Sequence, residues 1–192
     1  MDEKLLAHFA SINPLSQEEI AAIDETMEVQ HYKKGTVLLR QDEISPATYF
    51  VLEGIIRKYY LVDGEEKTAD FFTDEQWVVS VNNMNPDSPS AFYLECSTDC
   101  KLLVGNSKKG EALYRKYPNL ETVSRKLMTR VFTELQEKIE VFTTSTPTQR
   151  YQNLLKAKPD LFQRIPQYQI ASYIGVTPES LSRFRKRILK QN

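Results

Sequence analysis

Apolar and polar positions follow three different rhythms along this chain, and each rhythm predicts a different kind of element. Near the start, Ile20, Ala21 and Ile23 follow Ser16-Gln-Glu-Glu19, a capping-box spacing set just after the helix-breaking Pro14. Short helices are expected there. From about residue 28 to 106 the texture changes to short runs of Val, Leu, Ile, Phe and Tyr. Turn chemistry separates them: Lys34-Gly35, Glu53-Gly54, Val62-Asp63-Gly64 and Asn85-Pro86-Asp87-Ser88-Pro89. Asp63-Gly64 marks the clearest hairpin, because both central positions of a tight turn favour this pair. Many short strands with regular turns predict an antiparallel roll of the jelly-roll type.

The rhythm then becomes helical. After Pro118, apolar residues recur at Leu120, Val123, Leu127, Val131, Leu135, Ile139 and Phe142, and Met128 and Phe132 widen the stripe. Neither Gly nor Pro interrupts before Pro147, so the spacing predicts a helix of about 25 residues, roughly 37 Å long. A small roll cannot cover that much apolar surface from one side. Pairing with a second copy uses the remainder, with Leu120, Leu127, Val131 and Leu135 as candidate dimerisation residues. A helix wholly buried in its own monomer is the alternative. Thr143 to Pro147 reads as a polar hinge, followed by a helix over Gln149–Lys156 and two more short helices beyond Pro159 and Pro166.

Those last two helices carry the most informative pattern. Ile170 and Ile174 lie one turn apart, Ala171 is small where helices can cross, and Gly175 sits where a turn commonly needs positive φ. Thr177 can cap the next helix, Pro178 suits its first turn, and Glu179 lies near the positive end of its dipole. Leu181, Phe184 and Ile188 supply the inward stripe. The outward face is left to Thr177, Glu179, Ser180, Ser182, Arg183, Lys186 and Arg187. This is a helix-turn-helix pattern whose Glu can accept from cytosine, whose Arg can grip guanine and whose other cations can hold phosphates.

Charge sharpens that picture. The net charge of −1 hides an asymmetry: residues 147–192 carry nine Lys or Arg against two acids, leaving −8 on residues 1–146. A basic end on an acidic body suits a polyanion partner such as double-stranded DNA. Composition otherwise describes an ordinary globular chain, 27% charged and 41% hydrophobic. No apolar run reaches the roughly 18 residues of a membrane span, and the acidic start lacks a signal-peptide core, so a cytoplasmic location without membrane partners is expected. Cys96 and Cys100 read as two ordinary thiols around a turn, and neither a metal site nor a cofactor is expected. No Ser/His/Asp set or phosphate-cradling loop suggests an enzyme.

Taken together, the chain resembles the Crp–Fnr family of bacterial regulators over roughly residues 10–190. The resemblance rests on Lys34-Gly-Thr-Val-Leu-Leu, on Thr48-Tyr-Phe-Val-Leu-Glu-Gly-Ile-Ile-Arg-Lys-Tyr, and on Ile170-Ala-Ser-Tyr-Ile-Gly-Val-Thr-Pro-Glu-Ser-Leu-Ser-Arg. It implies an α+β chain: an N-terminal cyclic-nucleotide-binding-like β-roll (1–116), a long dimerisation helix and hinge (117–146), and a C-terminal helix-turn-helix domain (147–192). Since the sequence stops four residues after Ile188, the terminal wing is expected to be truncated or absent. The resemblance places Glu179, Ser180 and Arg183 at the positions from which family members read bases. It also makes RNA polymerase a candidate partner.

The chain departs from the cyclic-AMP-binding pattern. Where that pattern has Phe-Gly-Glu, this chain reads Trp77-Val-Val-Ser80, and Ser90 of Pro89-Ser-Ala91 stands where a phosphate-binding arginine belongs. An anion buried without its cation is hard to hold, so control by cyclic AMP is not expected. Phe72, Trp77, Ser90, Ala91 and Tyr93 are candidates to line a pocket for an unknown effector. The expected function is a homodimeric, sequence-specific transcriptional regulator on a palindromic operator. The alternative is a ligand-sensing module acting through protein contacts without DNA.

Overall fold

The computed structural model describes residues 2–45, 47–78 and 88–189, and the side chains of residues 2–45, 47–78 and 88–186. The chain enters through α1 (Glu3–Ile12), capped by the Asp2 carboxylate, and α2 (Gln17–Asp24). The capping box at α2 is reciprocal: Ser16 Oγ accepts from the Glu19 N–H, and the Glu19 carboxylate accepts from the Ser16 N–H at 2.8 Å. That backbone donor holds the Glu19 carboxyl below its usual range, against the opposing pull of burial.

Among the described residues eight strands follow: β1 (Glu28–Tyr32), β2 (Val37–Leu39), β3 (Ala47–Glu53), β4 (Ile56–Val62), β5 (Glu65–Phe72), β6 (Trp77–Val78), β7 (Tyr93–Cys96) and β8 (Cys100–Asn106). They form two four-stranded sheets, ordered β1-β8-β3-β6 and β2-β7-β4-β5. β8 pairs antiparallel with both β1 and β3, so Val104 lies opposite Glu28 on one side and Tyr49 on the other. This is the antiparallel roll that the alternation predicts. The β4–β5 turn has both Asp63 and Gly64 at positive φ, 53° and 78°, the geometry the Asp-Gly pair selects.

Six helices complete the described chain: α3 (Ser107–Lys116), α4 (Pro118–Thr144), α5 (Pro147–Ala157), α6 (Leu161–Arg164), α7 (Gln167–Ile174) and α8 (Pro178–Leu189). α4 runs for 27 residues, in line with its uninterrupted apolar spacing. Its first turns belong to the roll's own core, where Leu120 and Val123 join Leu5, Phe9, Ile23, Phe50, Leu52 and Leu103. Polar contacts fix the same end. Asn119 donates to the Pro14 carbonyl at 3.1 Å and to Glu19 at 3.2 Å, and Asn13 donates to Asn119 at 2.8 Å.

The chain divides into two compact units, 1–58 with 71–133 and 59–70 with 134–192. This division cuts inside α4 and groups the β4–β5 hairpin tip with the last helices. The reason is visible in hydrogen bonds. The Thr68 N–H donates to Ser172 Oγ at 2.9 Å, Ser172 Oγ donates to the Glu66 carbonyl at 3.2 Å, and Lys138 pairs with Asp70 at 2.7 Å. In the helical unit Tyr151, Leu154, Leu161, Ile165, Ile170, Ala171, Ile174 and Leu181 are buried.

Candidate nucleic-acid interface and roll interior

The turn between α7 and α8 forms as its residues dictate. Gly175 takes φ 75°, and its N–H and that of Val176 close the end of α7 onto the Ala171 and Ser172 carbonyls. Ala171 and Leu181 are fully enclosed, and Phe184 is half-buried. The side chain of Ile188 lies outside the described residues.

Burying Leu181 turns the opposite face of α8 outward. Thr177, Glu179, Ser182, Arg183 and Lys186 are exposed, and Ser180 is half-buried. Thr177 Oγ1 accepts from the Ser180 N–H at 3.3 Å, capping the helix. Its hydroxyl donates to Ser180 Oγ at 3.2 Å, and the Arg183 guanidinium donates to the same oxygen at 3.0 Å. Both lone pairs of Ser180 Oγ are thereby used, and Arg183 is held at a fixed place one turn along the helix. The Glu179 backbone N–H and the charge of Arg183 keep the Glu179 carboxyl below its usual range. An acceptor and a planar donor thus stand on one accessible face, the pair needed to read base edges. The side chain of Arg187 and all of Lys190 lie outside the described residues.

α4 corrects part of the expected pairing seam. Leu120 and Leu127 are 4% and 9% exposed, buried in their own chain, so they have little surface left for a partner. Val131 is half-buried. The uncovered stripe lies further along: Phe132, Leu135, Ile139 and Phe142 are each at least half exposed. Their 3-4-3 spacing is that of a coiled-coil seam.

The expected effector residues are not equivalent. Trp77 needs correcting as a pocket wall, because its ring packs into the α1 core, 6.1 Å from the Phe9 ring and 5.1 Å from that of Phe50. Ser90 is buried, with its hydroxyl donating to the Phe92 carbonyl at 2.8 Å and accepting from the Phe92 N–H. Phe72 is buried, Tyr93 half-buried and Ala91 exposed. Val79 and Ser80 lie outside the described residues. Two open clefts, of about 370 and 250 Å³, are lined by other residues, among them Lys4, Glu53 and Lys101 in one and His31, Asp99 and Cys100 in the other. Both cysteines are buried free thiols. A hydrogen bond with Cys100, together with burial, pushes the Cys96 thiol up.

The pattern of residue types left one charged pair unnoticed. Arg57 on β4 is 2% exposed and meets the Glu95 carboxylate on β7 at 3.2 Å. The signal was present, since period-two alternation puts Arg57 on the same strand face as buried Tyr59. Arg150 was also missed, and no sequence signal marked it. Its guanidinium donates to the Ile174 carbonyl at 2.9 Å, to Phe142 at 3.1 Å and to Ser145 at 2.8 Å.

With this geometry in place, similarity to known proteins becomes specific. Residues 29–117 match the cyclic nucleotide-binding domain family. The matched stretch runs from β1 to the end of α3, leaving α4 and the helical unit outside it. No curated protein sequence matches the chain. Solved structures are similar over most of its length. FixK2 from Bradyrhizobium japonicum has a TM-score of 0.70 at 19% identity, covering 86% of this chain and 85% of its own. The c-di-GMP-responsive global regulator CLP from Xanthomonas campestris has a TM-score of 0.69 at 15% identity, covering 92% and 93%. The catabolite activator protein of Thermus thermophilus scores 0.56 at 17% identity, covering 94% and 86%. At such identities the likeness establishes the shared fold: a cyclic nucleotide-binding-type roll followed by helices. No helix among the described residues is long and apolar enough to cross a membrane.

Proposed function

We propose that this protein is a sequence-specific DNA-binding transcriptional regulator of the Crp–Fnr type, cytoplasmic, acting as a homodimer on a palindromic operator. The observation that carries the reading is the outward face of α8, where Thr177, Ser180 and Arg183 form one hydrogen-bonded row beside Glu179, Ser182 and Lys186. A helix used only for packing has no need of an arginine pre-set by a serine on its solvent side. The charge of residues 147–192 supports the same partner, because phosphate contacts supply most of the non-specific affinity for DNA.

The test begins with selection of bound sites from random DNA, which is expected to return an inverted repeat with half-site centres about 34 Å apart. Arg183→Ala is then expected to cost about 1–3 kcal/mol at the selected site and to relax preference at one base pair per half-site. Affinity for selected and scrambled DNA across a salt series measures both. Equal losses on the two DNAs would mean that Arg183 only holds backbone, and the base-reading role of this face would be given up.

We further propose that cyclic AMP does not control this regulator. Ser90 spends its hydroxyl on Phe92 and carries no charge, so the position expected to meet a cyclic phosphate offers no cation. A ligand at a hundred times its dissociation constant adds about 2.7 kcal/mol, a melting shift on the order of 5–10 °C for a chain of this size. Millimolar cyclic AMP is expected to leave the melting curve unmoved. A shift of that order would show that another cation serves the phosphate.

A further inference from the structure

We propose that Arg150 is the positioning residue that fixes the direction of the DNA-reading helix against the pairing helix, and so sets the half-site spacing the dimer accepts. The inference rests on the DNA-binding reading above and names the residue that gives it geometric selectivity.

Phe142, Ser145, Arg150, Ile174 and Gly175 all belong to the helical unit. α4 ends at Thr144, and α5 begins at Pro147 after the Thr146 cap, so two residues separate the helices. A link that short still rotates about several backbone dihedrals unless something spans it. Arg150 spans it. One guanidinium nitrogen, Nη1, takes the carbonyls of Phe142 and Ser145, the last turn of α4 and the link itself. Nε takes the carbonyl of Ile174, the final residue of α7 before the turn. The guanidinium also lies 4.4 Å from the centre of the Phe142 ring, within cation–π distance.

The far side of this joint is the αL turn. A Cβ added to Gly175 would sit 3.5 Å from Arg150 Nη2 and 3.6 Å from the Phe142 ring, so this turn rests directly on both. α8 starts three residues later. Phe142, half exposed, is also the last member of the uncovered stripe on α4. One residue therefore sits at the end of the seam and against the helix-turn-helix turn, and Arg150 clamps the two together. Arginine suits this role where lysine does not. Its planar fork places Nε and Nη1 at a fixed angle toward different carbonyls, whereas an ammonium is a single point that cannot define a direction.

Two readouts test this on the full-length chain with Arg150, Arg150→Lys and Arg150→Ala. The first does not involve DNA. A nitroxide is attached through a ketone-bearing unnatural residue at Gln163, an exposed site on α6, and the distance across the dimer is measured by pulsed electron resonance. Arg150 is expected to give a narrow distribution, Arg150→Ala a broad one, and Arg150→Lys one in between. Light scattering and a thermal melt confirm that all three remain folded dimers. The second readout is affinity for the selected palindrome, for versions with one to four base pairs added or removed between half-sites, and for one half-site alone. Arg150→Ala is expected to flatten the spacing preference at least tenfold while half-site affinity changes less than threefold. A narrow distribution in Arg150→Ala, or equal loss on half-site and palindrome, would overturn the proposal, because Arg150 would then merely support the fold. Narrow distances in the unmodified chain with no DNA bound by any variant would instead sink the DNA-binding reading, and the spacing claim with it.

Discussion

A chain carrying Leu135→Glu and Ile139→Glu is expected to run as a monomer at micromolar concentration, where the unmodified chain is expected to run as a dimer. The stripe of Phe132, Leu135, Ile139 and Phe142 is 50–61% exposed in the single chain, an unusual amount of large apolar surface on one helix face. Pairing two such stripes covers the exposed half of each side chain, on the order of 1 kcal/mol apiece. The double substitution removes four of these side chains from the dimer and sets four carboxylates in an apolar seam. The loss is at least about 4 kcal/mol, so the dissociation constant rises by about three orders of magnitude. Light scattering measures the assembly, and a urea melt shows that the monomer fold survives, because both positions face solvent in the single chain. Leu127→Glu should behave differently. At 9% exposure it strikes the chain's own packing, and it is expected to unfold the protein rather than split it. A monomer in the unmodified chain at micromolar concentration would remove the pairing role from α4.

Gly54→Ala is expected to destabilise the roll by about 4 kcal/mol, lowering the melting temperature by roughly 10 °C. Gly54 joins β3 to β4 at φ 115°, a conformation that residues with a Cβ rarely adopt. A Cβ there would lie 2.7 Å from the Asp99 carbonyl oxygen and 2.7 Å from Cys100 Sγ. The neighbouring backbone cannot withdraw easily. The Ile55 N–H donates to Thr98 Oγ1 at 2.9 Å, the Ser97 N–H to the Ile55 carbonyl at 2.8 Å, and the Gly54 N–H to Asp74 at 2.9 Å. Gly64→Ala supplies the comparison. It too has positive φ, but nothing lies within 4 Å of its added carbon, so it should lose only the smaller conformational part. Thermal melts of the two variants decide the matter: equal losses would mean that the close approach of Asp99 and Cys100 contributes nothing.

Local chemistry was legible in the sequence wherever a few neighbouring residues settle a conformation. Ser16 to Glu19 forms its capping box, Asp63-Gly64 forms its tight turn, and Gly175 takes its left-handed place between α7 and α8. The strand region expected over residues 28–106 begins with Glu28 and ends with Asn106. What periodicity does not encode is which partner covers an apolar residue. Leu120, Leu127 and Leu135 occupy one repeating stripe, yet the first two are packed within the chain and the third is open to solvent. Long-range polar pairs were hidden for the same reason. Arg57 meets Glu95 across 38 positions of sequence, and Arg150 meets Ile174 across 24. Trp77 illustrates the opposite error, because an aromatic beside a presumed ligand position was in fact taken up by α1.

The division of α4 between a covered first half and an open second half has a consequence for how the protein responds to its own abundance. If the proposed pairing runs through the open half, each chain would fold its roll alone and would reach the proposed DNA-binding form only on meeting another. Below the dissociation constant, dimers follow the square of chain concentration, so halving the chain leaves about a quarter of the dimers. Operator occupancy would then fall faster than synthesis does, and the length of uncovered helix would fix the cellular dose at which that steepening begins.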